Sequence, residues 1–207
     1  REYLSNNDSS KKFKFIHVST DEVYGSLKTR DSSFNEGNSY LPNSPYAASK
    51  ASSDLIVRSY FKTFNFPAII TNWSNNYGPF QYPEKLIPLI INNCINFKPL
   101  PIYGNGKQIR DWIHVDDHCD ALLKIIKSGK IGEKYNIGGD QEITNLDLVK
   151  LICKNLDEIY PNNNGKYKKL ITFVKDRPGH DIRYSIDNSK IRKELKWKQK
   201  TSLTEGL

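Results

Sequence analysis

The 207-residue sequence contains no methionine and only three cysteines. Because protein chains are initiated with methionine, we expect the sequence to be part of a longer protein. The cysteines Cys94, Cys119 and Cys153 are widely spaced, and each falls in a helical pattern. An odd number at such spacing does not form a disulfide framework. We therefore expect reduced thiols in the core of a cytoplasmic protein.

The sequence also has no apolar run near the ~18 residues that a membrane-spanning helix requires, and its start does not resemble a signal peptide. Its four histidines are scattered, without the spacing of a metal site. A hydrophobic content of 37% with 26% charged residues is typical of a soluble globular protein. Membrane-spanning and metal-centred classes are thereby disfavoured.

A glycine-rich phosphate-binding turn between a strand and a helix, the signature of dinucleotide folds, is missing. Gly104-Asn105-Gly106 does not lie between such elements. If the chain belongs to a dinucleotide enzyme, the first half of its cofactor domain lies outside this sequence.

The net charge of +8 allows a nucleic-acid partner, but the lysines are spread along the chain and no nucleic-acid motif accompanies them. A substrate that carries a diphosphate explains the charge equally well.

The chain begins as strand, helix, strand. Residues 13–19 form a β-rich apolar run, a helical pattern runs from Tyr46 to about Phe64, and residues 67–73 are typical of a buried strand. Short connections predict a right-handed βαβ unit. After residues 75–79 the pattern changes to shorter elements: helices over 84–97, 116–128, from 144 and over 188–195, and strands over 109–115, 135–137 and 171–174.

We therefore predict an α/β fold: the C-terminal part of a Rossmann-type parallel sheet, followed by a smaller mixed α/β substrate-binding lobe. The first part spans residues 1–78. Residues 79–207 form mainly the lobe, with room for some chain to return to the sheet. Asp116 or Asp117 is the expected N-cap of the second of the shorter helices, and Thr144 with Asp147 resembles a capping box.

Asp21 and Glu22 follow Ser19-Thr20 at the end of the first predicted strand. Open α/β sheets bind ligands at the carboxyl ends of their strands, and two adjacent carboxyls can divide acid and base work. A solvated turn is the commoner explanation of an isolated Asp-Glu pair.

Tyr-x-x-x-Lys occurs three times, but only Tyr46 and Lys50 lie on a predicted helix. Residues four apart share a helix face. The ammonium is expected to lower the pKa of the phenol, so that Tyr46 can take a hydroxyl proton while a cofactor takes the hydride. An amphipathic helix with an exposed lysine fits the segment equally well.

Together these segments closely resemble the dTDP-glucose 4,6-dehydratases, a family of extended short-chain dehydrogenases/reductases. The resemblance runs from about residue 13 to the end. It rests on residues 19–25 (STDEVYG), 44–54 (SPYAASKASSD), 74–79 (SNNYGP), 83–88 (PEKLIP), 101–104 (PIYG), 110–112 (RDW), 135–139 (YNIGG) and 176–181 (DRPGHD).

The resemblance implies NAD as cofactor and a defined division of labour. Tyr46, assisted by Lys50, would take the proton of the sugar's 4-hydroxyl while NAD accepts hydride from carbon 4. Glu22 would remove the carbon-5 proton, and Asp21 would protonate the departing 6-hydroxyl. The hydride then returns to carbon 6. Thr20 would hydrogen-bond the substrate near the 4-hydroxyl.

The resemblance also implies binding roles. Asn75 would contact the substrate and Asn76 the cofactor, together with Tyr46 and Lys50. The expected contacts to the nucleotide and its diphosphate are Lys85, Leu86, Pro101, Ile102, Tyr103, Arg110, Asn145, Asp176, Arg177, Pro178, Gly179 and His180. For Leu86, Ile102 and Pro178, packing explains the residue type equally well.

Several alternatives remain open. Trp73 stands where a smaller residue is expected, and it either fits the strand or crowds the cofactor. A UDP-glucose 4,6-dehydratase shares the same chemistry. The nearest rival among enzymes is another nucleotide-sugar member of the superfamily, such as an epimerase or a GDP-mannose dehydratase, although epimerases do not need Asp21 and Glu22. A non-catalytic scaffold that binds nucleotide or RNA is the alternative outside enzymes. The family also implies a homodimer.

Overall fold

The computed structural model describes residues 13–207. Three of its strands form a parallel sheet in the order β1 (Phe15–Val18), β2 (Ala68–Trp73) and β6 (Lys134–Ile137). Helix α1 (Pro45–Phe64) connects β1 to β2. This parallel β-α-β arrangement confirms the predicted α/β class.

Helix α1 has clear local start and stop signals. The Ser44 side chain accepts a hydrogen bond from the backbone N–H of Ala47, and Pro45 occupies the first turn, where its missing N–H costs nothing. Asn65 ends the helix in a left-handed conformation. These signals hold Tyr46 in the first turn, next to the carboxyl end of the sheet.

The remaining strands form two smaller sheets. One has the order β3 (Asn75–Tyr77), β5 (Ile109–His114) and β7 (Glu142–Thr144), with β5 antiparallel to β7. The other pairs β4 (Leu100–Tyr103) with β8 (Ile171–Val174) in parallel. The helices that accompany these strands are α2 (Leu86–Ile95), α3 (Val115–Ser128), α4 (Asn145–Ile159), α5 (Ser189–Leu195) and α6 (Leu203–Gly206). Short 3-10 helices span Asp21–Tyr24 and Tyr167–Leu170.

Two main apolar clusters stabilise this arrangement. The first includes Ile69, Ile125, Tyr135 and Trp197, and therefore joins β2 and β6 to α3 and to the chain after α5. The second joins α2, β4, β5 and α4; its members include Ile90, Leu100, Trp112, Val149 and Ile152. The chain thus has one apolar core beside the parallel sheet and a second one that joins the two smaller sheets to α2 and α4.

Two sequence-based predictions are wrong. His114, not Asp116 or Asp117, caps α3: its Nδ1 accepts from the backbone N–H of Asp116 at 3.3 Å. Asp117 is buried and instead accepts from the backbone N–H groups of Lys200 and Thr201 at 3.0 and 2.8 Å. Cys119 is exposed, because its position on α3 faces away from the core, whereas Cys94 and Cys153 are buried as expected.

Substitution of Gly139 by alanine is expected to destabilise the fold. A Cβ at this position would lie 1.8 Å from the carbonyl oxygen of Trp112 on β5, so the backbone must shift. We expect a loss of roughly 3 kcal/mol or more, and a fall in Tm of about 6–12 °C in thermal unfolding. Gly37→Ala is the control, since its Cβ would meet only the side-chain oxygen of Asn35, at 3.0 Å. Equal Tm values for both variants would contradict the close approach.

Candidate active site

The carboxylate pair lies at the carboxyl end of β1. Asp21 and Glu22 open the 3-10 helix Asp21–Tyr24, which Thr20 caps by accepting from the backbone N–H of Glu22 at 3.3 Å. The Thr20 hydroxyl also donates to Asp21 Oδ1 at 3.3 Å. Asn72 on β2 donates to the carbonyl oxygen of Thr20 at 3.0 Å. The turn is therefore fixed both by its own cap and by the neighbouring strand.

Asp21 and Glu22 differ in their electrostatic surroundings. Asp21 is only 3% exposed, and its Oδ2 has no hydrogen-bond partner among the described residues. Burial, followed by the charges of Glu22 and Asp111, raises the pKa of Asp21 well above its usual value. Burial also raises the pKa of Glu22, but Arg110 opposes this rise. Such an arrangement favours a protonated Asp21 beside an ionised Glu22.

Tyr46 and Lys50 lie on the side of α1 that faces the carboxyl end of β1, where Asp21 and Glu22 are located. Lys50 donates its ammonium to the carbonyl oxygen of Val18 on β1 at 2.8 Å. Tyr46 remains 56% exposed. Its pKa is raised by burial and then by the charges of Glu22 and Asp21, so these groups lie within electrostatic reach of one another.

The prediction that Lys50 lowers the pKa of Tyr46 is wrong for this arrangement. The Lys50 ammonium is engaged by a backbone carbonyl of β1, and the charges that act on the phenol are the two carboxylates. Where they are ionised, they disfavour the phenolate and therefore act against the expected base; with Asp21 protonated, this effect comes from Glu22.

A buried carboxylate that sequence reasoning missed holds α1 against the sheet. Asp54 is 1% exposed and lies 3.0 Å from His17 Nε2 on β1. It also accepts from the Tyr40 hydroxyl at 2.8 Å and from Asn72 at 3.2 Å. Burial alone would raise the pKa of Asp54, but the hydrogen bonds from His17 and the other donors lower it. Its signal in the sequence was an acidic residue on the buried face of α1.

Three cations are within electrostatic reach of the carboxylates. Arg110, Arg177 and Lys85 each lower the pKa of Glu22. Arg110 is 6% exposed, with its Cζ 4.3 Å from the ring centroid of Tyr184, and it donates to the Asp181 carbonyl at 3.0 Å. Lys85 and Arg110 are the two residues predicted to bind the diphosphate, and Arg177 belongs to the segment predicted to close over the nucleotide.

The segment after β8 folds back over the turn that follows β4. Asp176 accepts from Gln108 at 3.0 Å and lies 2.6 Å from His180 Nδ1. Gly104 permits this approach, because a Cβ there would lie 2.5 Å from Asp176 Oδ2. The Arg177 guanidinium lies 5.4 Å from the ring centroid of Tyr103. A cavity of about 370 Å³ is lined by residues from both segments.

The other predicted binding residues occupy varied positions. Asn145 and Leu86 begin α4 and α2, Pro101 lies on β4, and Pro178 and Gly179 lie on an exposed loop. Ile102 is 2% exposed and belongs to the second apolar core. For Ile102 and Leu86, which packs against the same cluster, the contacts agree with the packing explanation.

Asn75 and Asn76 lie side by side on β3. The Asn76 amide is used inside the protein: its Oδ1 lies 2.8 Å from His118 Nδ1, and its Nδ2 donates to the Ser74 carbonyl at 3.1 Å. His118 lies edge-on to the Trp73 ring, with centroids 4.1 Å apart. Trp73 therefore fits the strand by packing on the first apolar core and on α3.

Two further groups near the site were not predicted from the sequence. Asp111 accepts from the backbone N–H groups of Gly139 and Gln141 at 2.8 and 2.7 Å, and burial raises its pKa to about 6. Burial lowers the pKa of His118 to about 4, and its Nε2 lies buried without a hydrogen-bond partner within residues 13–207. The Arg110-Asp111-Trp112 motif contained the signal for Asp111, but only Arg110 was assigned a role.

Among residues 13–207, no helix is long and apolar enough to cross a membrane. The same residues contain no group of three or more histidine, cysteine, aspartate or glutamate side chains that could hold a metal ion.

The chain is similar to known nucleotide-sugar enzymes over its whole length. The model of the family described as GDP-mannose 4,6 dehydratase matches residues 2–207. The dTDP-glucose 4,6-dehydratase of Neisseria meningitidis is 52% identical over 198 residues, which represent 94% of this chain and 56% of the relative. The chain spans about three fifths of the length of the curated relatives that it matches.

Solved structures show the same fold. The crystal structure of dTDP-glucose 4,6-dehydratase from Bacillus anthracis in complex with NAD matches with a TM-score of 0.88 and 46% identity, over 99% of this chain and 62% of that one. UDP-glucuronic acid 4-epimerase from Bacillus cereus, in complex with UDP-glucuronic acid and NAD, matches with a TM-score of 0.83 and 31% identity, over 93% and 58%.

Replacement of Asp21 by asparagine is expected to stabilise the protein at neutral pH. The folded-state pKa of Asp21 lies well above the unfolded value near 3.9, so the wild-type chain loses stability as pH rises from about 4 through the folded pKa. Asparagine does not ionise. We expect its Tm to exceed that of the wild type by about 2 °C or more at pH 7.5, with a smaller difference at pH 4.

Asp176→Asn is the matched control, because the pKa of this exposed carboxyl is lowered, chiefly by its hydrogen bond to His180. Its Tm should not rise at pH 7.5. A pH-independent difference for Asp21→Asn would contradict a raised pKa in the folded state.

Proposed function

Because the chain belongs to the GDP-mannose 4,6-dehydratase family, we propose that it carries the catalytic and substrate-binding side of an NAD-dependent nucleotide-sugar 4,6-dehydratase. The observation that carries the proposal is the juxtaposition of buried Asp21, ionisable Glu22 and exposed Tyr46 at the end of β1. The relatives named dTDP-glucose 4,6-dehydratases support dTDP-glucose as substrate and a 4-keto-6-deoxy sugar as product.

The residues present suit the reacting end of NAD. The Tyr46 hydroxyl and the Lys50 ammonium lie at the carboxyl edge of the parallel sheet, where such folds bind their cofactors. When bound, NAD accepts the hydride from carbon 4 of the sugar and later returns it to carbon 6. Tyr46, Lys50 and Asn76 would hold that end of the cofactor.

The proton transfers fall to this chain's own side chains. Tyr46, in its phenolate form, takes the proton of the 4-hydroxyl as carbon 4 is oxidised. The positive nicotinamide ring of bound NAD would offset the negative charges that raise the pKa of this phenol. Glu22 removes the proton on carbon 5, which the neighbouring ketone acidifies. Asp21, kept protonated by burial, gives its proton to the 6-hydroxyl, which departs as water. Thr20 orients Asp21 and contacts the substrate hydroxyl.

The cations define the substrate side of the site. Arg110, Arg177 and Lys85 would bind the diphosphate, since charge-assisted contacts to phosphate are the strong ones. Tyr103 would contact the nucleotide opposite Arg177, and Asp176 and His180 would close the pocket. We further propose that residues 1–78 belong to the cofactor domain and 79–207 mainly to the substrate lobe, in a cytoplasmic homodimer.

Dehydration is favoured over epimerisation by the carboxyl pair. An epimerase has no use for a protonated Asp21 beside a base, because it removes no water. In a binding scaffold, the buried Asp21 with its raised pKa would lower the stability of the fold at neutral pH and would serve no purpose. The site chemistry therefore favours the dehydratase even though an epimerase shares the fold.

The nucleotide can be identified by incubating the full-length protein with catalytic NAD and either dTDP-glucose or UDP-glucose. A 4-keto-6-deoxy sugar is detected by its absorbance in alkali. We expect product from dTDP-glucose. Product from UDP-glucose alone would keep the mechanism and change the substrate, and no product from either sugar with NAD bound would refute the proposal.

Single-turnover experiments on variants of the full-length protein separate the half-reactions. We expect Tyr46→Phe to slow the first hydride transfer roughly 10²- to 10⁴-fold, because the 4-hydroxyl loses its base. Asp21→Asn should keep this step, seen as NADH absorbance at 340 nm, and slow loss of water by a similar factor.

Asp116→Asn is the control for these variants, since its side chain is 85% exposed at the start of α3. It should leave both steps unchanged. Equal loss of both half-reactions in Asp21→Asn would contradict the division of labour between the carboxyls.

A further inference from the structure

Lys134 holds its ammonium against two aromatic rings instead of a carboxylate. Its Nζ lies 4.4 Å from the ring centroid of Tyr40 and 4.8 Å from that of Tyr24. The two rings meet edge to face, 5.2 Å apart. Within residues 13–207 this ammonium has no ion pair and no hydrogen bond. Lys134 thus has no carboxylate in direct contact, and its ammonium form is favoured by the two rings and by the charges of Asp54 and Glu36.

This ammonium lines an open cleft of about 500 Å³ whose lining contains none of the predicted site residues. Leu55, Phe61 and Ile70 supply part of its apolar wall. A ligand can therefore approach Lys134 along a partly apolar path.

The charged groups that face the cleft do not neutralise Lys134. Asp54 is bound by Tyr40 and His17, and Glu36 accepts from the backbone N–H of Asn136 at 2.9 Å. Glu133 pairs with Lys190 at 2.6 Å. Arg58 adds a second cation to the lining. The carboxylates present are thus already satisfied by other donors.

The same surroundings shift the protonation of the amine. The pKa of Lys134 is lowered to about 8, chiefly by burial. The charges of Asp54 and Glu36 oppose this fall, and those of Lys190 and Arg58 contribute to it. At pH 7.5 roughly a quarter of the amine is then neutral, against about 0.1% for an unperturbed lysine. Only the neutral amine is a nucleophile.

We infer that Lys134 is a site of selective Nε-acylation by activated acyl groups, either acyl thioesters or acyl phosphates, that enter through the cleft. In this reaction the neutral amine adds to the acyl carbonyl carbon and forms the N–C bond. The C–S or C–O bond to the donor breaks, and the leaving thiolate or phosphate departs with the electron pair. The proton of the amine passes through solvent to the leaving group, and no oxidant or reductant is needed.

Acylation would have a structural consequence. The neutral amide loses the cation–π attraction to Tyr24, and Tyr24 is the last residue of the 3-10 helix that begins with Asp21 and Glu22. The modification thus acts on the turn that positions the carboxyl pair.

The test is quantitative mass spectrometry of the folded protein after exposure to acetyl phosphate in one arm and acetyl-coenzyme A in the other. Exposed Lys98 and Lys154 in the same sample are the internal controls. We expect Lys134 to react about tenfold faster at pH 7.5, since its larger neutral fraction outweighs its lower basicity and partial burial. Its rate should level off above about pH 8, while those of the controls continue to rise.

In protein unfolded by urea the advantage of Lys134 should vanish, because the rings and the neighbouring charges are then dispersed. A rate at Lys134 equal to or below those of Lys98 and Lys154 in the folded protein, with both donors, would overturn the inference. So would an advantage that persists in urea, because the folded surroundings would then not be its cause.

Discussion

The parallel register of β1 and β2 is the constraint on which the candidate site depends. Val18 pairs with Thr71, and the backbone N–H of Ser19 donates to the Thr71 carbonyl at 2.8 Å. Both strands therefore end at the same edge, which places Thr20 beside Asn72. Because α1 starts again from that edge, Tyr46 returns to the point where the carboxyl pair begins.

Local desolvation, not the overall charge, governs the site. The chain carries a net charge of +8, which alone would favour ionised carboxyls. Yet the pKa of Asp21 is raised, because burial removes water and two other carboxylates lie nearby. Arg110 opposes the effect of burial at both carboxyls, and Arg177 and Lys85 also oppose it at Glu22. The two neighbours in sequence therefore have different electrostatic surroundings.

The sequence predicted the features that are encoded locally. The capped helix α1, the Thr144 cap of α4 and the apolar run of β2 each carry their signal within a few residues. Strands β3, β4 and β7 are only three or four residues long, and their pairing depends on distant chain segments, so no local pattern predicts them. The α/β class and the proximity of the Asp21-Glu22 pair to Tyr46 and Lys50 followed from the order of elements.

Tertiary contacts also explain the predictions that failed. Asp117 had the residue type of a cap, but its carboxylate accepts a hydrogen bond from the backbone N–H of Lys200, about eighty positions away. Lys50 had the spacing to act on Tyr46, but the Val18 carbonyl holds its ammonium. In each case, a partner far away in sequence competes with the near neighbour.

The edge-on contact between Trp73 and His118 has an optical consequence. A protonated imidazole quenches indole emission, whereas a neutral one does so weakly. Because burial lowers the pKa of His118 to about 4, the imidazole stays neutral across the physiological range. Protonation of His118 therefore does not change the fluorescence of Trp73 near neutrality.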